Sequence, residues 1–258
     1  MKKILLFLFA LSLWSCQKEK TNCTIYGSVT EVDFEKLTLS GINFSKEISI
    51  KDGKFSEDVT LPYKGLYQIQ LNDELEKYLY LENGFDLQVA LDTDNFDDQV
   101  TYTGIGADEN NYFLQKRATM RSILGKISDW DDLRELFLLD ETSFLDKLKQ
   151  TEREVLALVN KANLSNATFV EKEKLDLPNF SLRFQYMYPF YHAHFSDDDA
   201  FEVSENYPVL PEDFDIDNED MYLFSLTYRF LCDVYFEKRV EAREPEESEV
   251  LTVAFEEL

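Results

Sequence analysis

The chain has 258 residues, of which 44% are hydrophobic and 14% aromatic, so a folded core is expected and wholesale disorder is not. Its 51 acidic and 26 basic residues give a net charge of −25, which excludes a broad nucleic-acid interface because phosphate binding requires clustered Lys and Arg. Three cysteines without a Cys-x-x-Cys pair supply neither a disulfide framework nor a dithiol redox site. The length predicts one large domain or two small ones.

The N-terminus has the pattern of a signal peptide. A basic start is followed by an apolar run, residues 4–13, that is about half the length needed to cross a ~30 Å hydrocarbon core. Leu13-Trp14-Ser15-Cys16 resembles a bacterial lipobox, in which the cysteine receives a diacylglycerol before signal peptidase II cleaves ahead of it. We therefore predict that residues 1–15 are removed and that Cys16 is the lipid-attachment residue. The alternative is an ordinary secretory signal with an incidental Cys16.

A lipid on Cys16 would determine where the protein resides. Removal of residues 1–15 takes away two of the 26 basic residues and no acidic one, so the net charge falls from −25 to −27. Anionic bilayers repel such a protein, and attachment then depends on the acyl chains. Residues 16–23 are predicted to be a short polar tether. The expected location is the cell envelope of a Gram-negative bacterium, facing the periplasm or on the outer membrane, with the membrane as a partner through Cys16.

Residues 24–103 have the pattern of short β-strands. Seven segments alternate in polarity or carry β-branched residues, with turn residues every eight to twelve positions. The predicted strands are residues 24–29, 36–39, 47–50, 54–59, 66–71, 77–81 and 85–91. The strongest turn signal is Asp52-Gly53, which predicts a hairpin because both turn positions favour positive φ. We expect an antiparallel β-sandwich or barrel-like domain with one face of each sheet exposed to water.

From residue 104 onward the apolar period becomes helical. Residues 143–146 (Ser-Phe-Leu-Asp) resemble a capping box at the start of one helix, and Asp217 or Asn218 is expected to cap another over residues 221–240. Residues 166–195 are also helical in pattern, but Pro178 and Pro189 predict at least one break or kink. The predicted fold class is mixed and segregated, with a β domain at 24–103 followed by an all-helical region at 104–258.

Several short motifs lie at turns of the predicted β domain and at the start of the helical region. They are Asp52-Gly53-Lys54-Phe55, Pro62-x-x-Gly65-x-Tyr67, Gly84 before a strand, and Tyr102-x-Gly104-x-Gly106-Ala107-x-Glu109-Asn110-Asn111-Tyr112. Together they resemble the N-terminal part of TlpA-like thiol:disulfide interchange lipoproteins of Gram-negative bacteria, over roughly residues 24–240. In that family, a β-rich domain of unknown function and a helical region precede a periplasmic thioredoxin-fold domain.

The chain departs from this family at its C-terminus. The resemblance implies a Cys-x-x-Cys redox motif beyond residue 258, whereas residues 250–258 have helical spacing and no C-cap glycine. The pattern is that of a chain interrupted within an element. Three explanations stay open: a truncated gene, a fragment, or a stand-alone paralogue without the redox domain. In each case we expect this chain to be non-catalytic and to carry no cofactor.

An acidic stretch imitates part of a calcium-binding loop. Asp213-x-Asp215-x-Asp217 has the spacing of the first ligands, but Asn218 occupies the position that requires glycine. Phe224 occupies the position of the bidentate Glu. A solvated linker that caps the next helix is the preferred interpretation.

The histidines and remaining cysteines do not form a recognisable site. His192 and His194 are two residues apart on a predicted helix and point to different sides, which favours aromatic packing over joint metal ligation. Cys23 and Cys232 are expected to be separate thiols, and the neighbours of Cys232 offer no base to activate it. We predict no metal site and no catalytic residue.

Three functions from different classes follow from these observations. The first is a membrane-tethered, non-catalytic accessory region of a TlpA-like lipoprotein. The second is a stand-alone envelope lipoprotein that binds a glycan, a peptide or a protein, and the third is a structural spacer. A dense aromatic run favours either a binding patch or a helix–helix core, with core packing as the default. This run consists of Phe180, Phe184, Tyr186, Tyr188, Phe190, Tyr191 and Phe195.

Overall fold

The computed structural model describes residues 21–30, 33–73, 75–93 and 99–241. The predicted signal peptide, the lipid-attachment residue Cys16, most of the tether and the segment after residue 241 lie outside the described residues. Eight strands are followed by six helices in the described part. The strands are β1 (Cys23–Val29), β2 (Lys36–Gly41), β3 (Phe44–Ser49), β4 (Lys54–Val59), β5 (Gly65–Gln70), β6 (Glu76–Leu81), β7 (Asp86–Leu91) and β8 (Val100–Ile105). The helices are α1 (Ala107–Leu124), α2 (Trp130–Phe137), α3 (Glu141–Lys161), α4 (Ala167–Ser196), α5 (Glu219–Phe224) and α6 (Leu226–Glu241).

The predicted order of strands followed by helices is confirmed. The strands form two four-stranded sheets, in the orders β4-β1-β7-β8 and β3-β2-β5-β6. All neighbours are antiparallel except β1 and β7, which run parallel with Ile25 opposite Leu87. The parallel pair departs from the antiparallel expectation. It is accommodated because the chain between β1 and β7 passes through both sheets and so provides the long crossover that parallel neighbours need.

The Asp52-Gly53 turn forms as predicted, but it does not join a hairpin. Both residues have positive φ, 50° and 68°, and Lys51 bridges to Lys54 across the turn. The two arms then separate, because β3 enters one sheet and β4 enters the other. The hairpin prediction is wrong because turn chemistry specifies local dihedral angles and not the sheet that each arm joins.

One hydrophobic core connects the two sheets to the helices. Ile25, Leu39 and Val89 are fully buried representatives of the inward faces of the sheets. Phe169 of α4 and Phe224 of α5 belong to the same cluster. A second cluster lies entirely within the helical part, between α1, α2, α3 and α4.

The change from strand to helix takes place at a single glycine. β8 ends at Ile105 and α1 begins at Ala107, so Gly106 is the N-cap, with φ of 96°. A Cβ atom on Gly106 would lie 2.1 Å from the ring of Phe85. Both the backbone conformation and the close aromatic ring therefore require glycine at this position.

The predicted start of α3 is corrected by three residues. Asp140, and not Ser143, caps this helix, and the Asp140 carboxylate accepts hydrogen bonds from the Ser143 N–H (3.0 Å) and hydroxyl (2.6 Å). The sequence pattern was ambiguous because Asp140 and Ser143 are both good N-cap residue types.

A break or a kink was expected in residues 166–195, and the break does not occur. α4 is one helix of 30 residues that contains both Pro178 and Pro189. A helical proline leaves the carbonyl four residues earlier without its usual donor. At Gln185 that carbonyl accepts a hydrogen bond from the Tyr207 hydroxyl instead (3.3 Å). Long-range packing thus compensates for a local helix breaker.

The single helix predicted over residues 221–240 is two helices. Asn218 caps α5 as expected, accepting from the Met221 N–H at 3.1 Å. Ser225 is extended, with φ of −121°, and separates α5 from α6. Its hydroxyl accepts from the Tyr228 N–H (2.9 Å) and donates to Asp176 of α4, so tertiary contacts fix the break. Within the described residues, no helix has the length and apolar character needed to span a membrane.

Candidate binding groove beside helix α1

A groove of about 550 Å³ lies where α1 contacts the edge strands of both sheets. β6 is an edge strand of one sheet, β8 is an edge strand of the other, and α1 contacts both. Tyr78 of β6, Tyr102 of β8 and Phe113 of α1 line the groove, and the loop after α1 adds Ile127. The volume falls within the range of about 300–1,000 Å³ that is usual for small-ligand pockets.

The lining of the groove is rich in basic residues although the protein is strongly acidic. Among the described residues, five cationic side chains and one acidic side chain line it. The cations are Lys77, Lys116, Arg117, Arg121 and Lys126, and the acid is Glu76. In the whole chain acidic residues outnumber basic ones, 51 to 26. Basic residues are therefore concentrated in the lining of this groove, on a protein that is acidic as a whole.

One face of α1 supplies apolar and cationic groups together. Phe113, Arg117 and Arg121 are four residues apart, so they follow one another along the same side of the helix. At 1.5 Å per residue this stripe is about 12 Å long. A ligand in the groove would meet both an aromatic surface and a row of guanidinium groups.

Two adjacent asparagines attach α1 to the two sheet edges. The Asn110 amide accepts from the Tyr80 N–H and donates to the Tyr80 carbonyl, each at 2.9 Å, so it replaces a neighbouring strand at that point of β6. Asn111 donates to the Tyr102 carbonyl of β8 at 3.1 Å. These bonds fix the position of the groove wall relative to both edges.

A buried ionic network lies behind the groove at Lys116. Its ammonium group donates to Glu173 of α4 at 2.8 Å and lies 3.7 Å from Asp176. The Tyr112 hydroxyl also donates to Glu173 at 2.8 Å. Burial alone would lower the pKa of Lys116, but the carboxylates of Glu173 and Asp176 outweigh it and hold the pKa above its ordinary value. Lys116 thus stays charged at the inner wall of the groove.

The tyrosines of the groove are neutral over the whole physiological pH range. Burial raises the pKa of Tyr78, and the nearby Glu76 raises it further. Burial also raises the pKa of Tyr102, against the lowering effect of Arg117. Tyr78 and Tyr102 therefore provide apolar ring surface and no negative charge that would compete with a ligand.

The two described cysteines do not line this groove, and they form no disulfide with each other. Cys23 and Cys232 are free and buried. Burial, with Asp86 and Asp58 nearby, raises the pKa of Cys23 to about 12. Burial likewise raises the pKa of Cys232. Neither thiol has the lowered pKa that makes a cysteine reactive.

The two histidines take part in aromatic packing. The His192 ring nitrogen Nδ1 lies 2.8 Å from the Phe137 carbonyl, and its ring packs on Phe201 at 4.1 Å between centroids. His194 lies near Trp130 instead, at 6.1 Å between centroids. Within the described ranges, no group of three His, Cys, Asp or Glu side chains is arranged to hold a metal ion.

The aromatic run of α4 is mainly core. Phe180, Phe184, Tyr188 and Phe195 are buried in the second hydrophobic cluster. Phe190 is the exception, with 70% of its surface exposed. The default interpretation of helix–helix packing therefore holds for most of this segment.

The residues that form the groove were not identified from the sequence as a site. Phe113, Lys116 and Met120 are recognisable as one face of a helix, but the pattern does not show that this face lies between two sheet edges. The available signal was local charge, since residues 116–126 contain four basic residues and no acidic one in a chain of net charge −25. Comparisons with protein-family models, with curated proteins and with solved structures found no match to this chain.

Proposed function

We propose that this chain is a lipid-anchored, non-catalytic binding protein of the bacterial cell envelope, with the groove beside α1 as its binding site. The observation that carries the proposal is the groove of about 550 Å³ with aromatic walls, formed where α1 contacts the edge strands of both sheets. Concave sites with apolar walls and a few charged groups are the usual form of ligand sites.

The state of the thiols supports a non-catalytic role. Disulfide exchange requires a thiolate and a second cysteine poised beside it. Cys23 and Cys232 are buried, separate and shifted to higher pKa. The purified mature chain should therefore not accelerate the reduction of insulin by dithiothreitol above the background rate. Acceleration that is lost in Cys232→Ser would instead make the protein an enzyme.

The second candidate is an accessory region of a TlpA-like thiol:disulfide interchange lipoprotein. It is favoured by the position of the motif that resembles that family, because residues 102–112 join the strands to the helices. Gly106, Asn110 and Asn111 of this motif form the turn and the two attachments to the sheet edges. In this role the groove would hold a segment of a redox partner or substrate.

An apolar fluorescent probe tests the binding function. N-phenyl-1-naphthylamine, which is neutral, should bind the mature chain with increased fluorescence at a single site. Ile127→Ser in the groove should weaken binding several-fold. Leu138→Ser is the matched control, since both side chains are 38% exposed and Leu138 lies outside the groove. Equal binding by the two variants, or no binding by the wild type, would refute the groove as a binding site.

Metabolic labelling tests the anchor. Labelled palmitate should enter the wild-type protein, and Cys16→Ser should abolish the label and release the protein from membranes or leave it as uncleaved precursor. Each buried methylene contributes about 0.8 kcal/mol, so two or three acyl chains hold the protein firmly. A wild-type protein that takes up no palmitate would contradict the lipoprotein assignment.

A further inference from the structure

A second concave site lies beside α4. This pocket, of about 440 Å³, is formed by α4 and by residues 203–210 of the chain that follows it. Pro189 and Phe190 line it from α4, and Val209 lines it from the other side. Its lining is mainly apolar, and among the described residues Lys238 of α6 is the one charged side chain in it. The pocket shares no lining residue with the groove beside α1.

Large apolar side chains next to this pocket are exposed to solvent. Phe190 is 70% exposed, Val209 is 68% exposed, and Trp130 at the start of α2 is 58% exposed. His194 connects Phe190 with Trp130, since its ring centroid lies 6.5 Å from the first and 6.1 Å from the second. We refer to these four side chains and the pocket as the Phe190 face. Exposed apolar side chains that adjoin one another, unlike single ones, indicate an interaction site.

Buried contacts hold the pocket in place from behind. The Tyr207 ring packs on Tyr188 of α4 at 5.4 Å between centroids, and its hydroxyl donates to the Gln185 carbonyl at 3.3 Å. Glu141 of α3 accepts from the N–H of Ser204 at 2.7 Å and from its hydroxyl at 2.6 Å. The loop that forms the outer wall is therefore attached to both helices. A preformed pocket of this kind loses little conformational entropy when it is filled.

The surroundings of the Phe190 face are acidic. Residues 185–217, which contain both walls of the pocket, include nine acidic residues and no Lys or Arg. Residues 197–199 are three consecutive aspartates directly after α4, where the helix dipole adds further negative potential. Glu202 and Glu205 are exposed on the loop of the outer wall. Among the described residues, none of these nine carboxylates forms an ion pair.

The combination of apolar and acidic groups selects the class of partner. An anionic lipid surface, or a second copy of this chain with its net charge of −25, would bring negative charge to a face that is already negative. A neutral apolar compound would fill the pocket and leave the carboxylates without a counter-charge. A segment that is both basic and apolar matches the pocket and its surroundings together.

We propose that the Phe190 face binds a partner protein through a segment in which Lys or Arg alternates with large apolar side chains. One apolar side chain of the partner fills the pocket between Phe190 and Val209, and another covers Trp130. Its basic side chains contact Glu202, Glu205 and the aspartates that follow α4. This interaction is separate from binding in the groove beside α1 and does not depend on it.

Fluorescence anisotropy with designed peptides tests the proposal on the mature chain carrying Cys16→Ser. The probe is a fluorescein-labelled Lys-Leu-Lys-Leu-Lys-Leu peptide, and its controls are Glu-Leu-Glu-Leu-Glu-Leu and Lys-Ser-Lys-Ser-Lys-Ser. An ionic strength of about 0.15 M limits electrostatic attraction to about 8 Å, so distant carboxylates contribute little. We expect the Lys-Leu peptide to bind at least ten-fold more tightly than either control. Equal binding of the Lys-Ser peptide would overturn the proposal, because the apolar surface would then contribute nothing.

Substitution of the exposed aromatic residue tests the location. Phe190→Ala should weaken binding of the Lys-Leu peptide at least five-fold. Leu175→Ala is the matched control, because Leu175 is 53% exposed on the same helix and does not line the pocket. Trp130 is the tryptophan that remains after residues 1–15 are removed, and its emission should shift to shorter wavelength when the Lys-Leu peptide covers it. Equal losses in the two variants would show that the peptide binds elsewhere.

Charge reversal tests the acidic surroundings. The double variant Glu202→Lys with Glu205→Lys should weaken binding of the Lys-Leu peptide at least ten-fold. Asp33→Lys with Glu35→Lys is the control, since it changes the net charge by the same amount at exposed positions before β2. Similar losses in both double variants would mean that the peptide responds to the net charge of the protein and not to this face, and the proposal would fail.

Two measurements test the other occupants of the Phe190 face. The mature chain carrying Cys16→Ser should neither float with phosphatidylcholine vesicles nor dimerise in analytical ultracentrifugation. If it floated with the vesicles and Phe190→Ala abolished flotation, the face would bind a membrane surface and the inference would be wrong. If it dimerised and Phe190→Ala made it monomeric, the face would bind a second copy of this chain and the inference would likewise be wrong.

Discussion

Lys116 has two environments at once, since its ammonium group lines the groove and also neutralises Glu173, whose side chain is 1% exposed. A buried ion pair gains little over a hydrophobic replacement of both partners, but removal of one partner leaves an uncompensated charge. We therefore expect this network to determine how α1 and α4 pack against each other, and to contribute little net stability. The exposed Lys149–Asp146 pair, at 3.7 Å, has no such constraint.

Lys116→Met should lower the free energy of unfolding by about 3–5 kcal/mol, because Glu173 would be buried without its cation. Urea unfolding monitored by circular dichroism measures the change. The surface control Lys149→Met should change the free energy by less than about 0.5 kcal/mol. The double variant Lys116→Met with Glu173→Gln should recover part of the loss. Similar losses for Lys116→Met and Lys149→Met would contradict a buried network.

Glu109 should make the protein less stable as the pH rises. Burial raises the pKa of Glu109, and Glu82 and Asp108 nearby raise it further. A raised pKa in the folded state stabilises the fold below the pKa of the unfolded chain, and this contribution is lost as the pH rises through the folded pKa. Glu109→Gln should therefore be more stable than the wild type at pH 7, and the difference should disappear at acidic pH.

The control for Glu109 is its neighbour in the first turn of α1. Asp108 is exposed there, where a carboxylate interacts favourably with the helix dipole. Asp108→Asn should consequently destabilise the protein at pH 7 by about 0.3–1 kcal/mol, which is the opposite sign. Urea titrations of both variants at several pH values give the comparison, and a destabilising Glu109→Gln at pH 7 would show that the buried carboxylate is needed in its charged form.

At the scale of elements, α1 connects the two sheets to the other helices. Its first turn closes the edge of β6 through Asn110 and the edge of β8 through Asn111. Its middle contacts α4 through Lys116 and Tyr112. A helix that ends two sheet edges in this way protects them against edge-to-edge association with other chains.

Asn110→Ala should destabilise the protein by about 2–4 kcal/mol, since it leaves the buried N–H and C=O of Tyr80 without partners. Amide exchange at Tyr80, measured by mass spectrometry or NMR, should become faster than at the other residues of β6. Gln115→Ala is the control, because Gln115 is exposed on the same helix. If Gln115→Ala had an equal effect, the pairing of Asn110 with the β6 edge would not explain the loss.

The positions of the strands and helices were more predictable from the sequence than the contacts that each element makes with the others. The change of period near Gly104 located the junction within a few residues, because the apolar spacing changes from two to 3.6 at that point. Three features were not predictable. They are the entry of β3 and β4 into different sheets, the continuity of α4 through Pro189, and the break at Ser225. Each depends on a contact with a residue distant in sequence, such as the bond of Tyr207 to Gln185 or of Ser225 to Asp176.

The same distinction applies to the groove. Helical spacing places Phe113, Arg117 and Arg121 on one face, and that much is present in the sequence. The opposite wall is formed by Tyr78 and Tyr102, which belong to the edge strands of two different sheets. Local patterns carry no information on which strands are edges, so the site emerges only from the tertiary structure.

At the scale of the whole molecule, the shared core predicts that strands and helices unfold together. Tyr112, Phe169 and Phe224 of the helical part are buried in the cluster formed by the two sheets. α4 extends from this cluster, at Phe169, into the second cluster, at Phe180. Loss of either cluster would therefore expose apolar surface of the other, which is the condition for a cooperative transition.

Three probes at distant sites test this cooperativity in the mature chain carrying Cys16→Ser. Trp130 is the tryptophan that remains after residues 1–15 are removed, and its fluorescence reports on the second cluster through Phe195, at 5.0 Å between centroids. Thiol labelling of Cys23 in β1 and of Cys232 in α6 reports on the first cluster, since both are buried there. The three signals should change at the same urea concentration, and Cys23→Ser and Cys232→Ser variants assign the labelling to each site. If Trp130 fluorescence changed at a clearly lower concentration than Cys23 became reactive, the helical cluster would be an independent unit and the shared core would not couple the two parts.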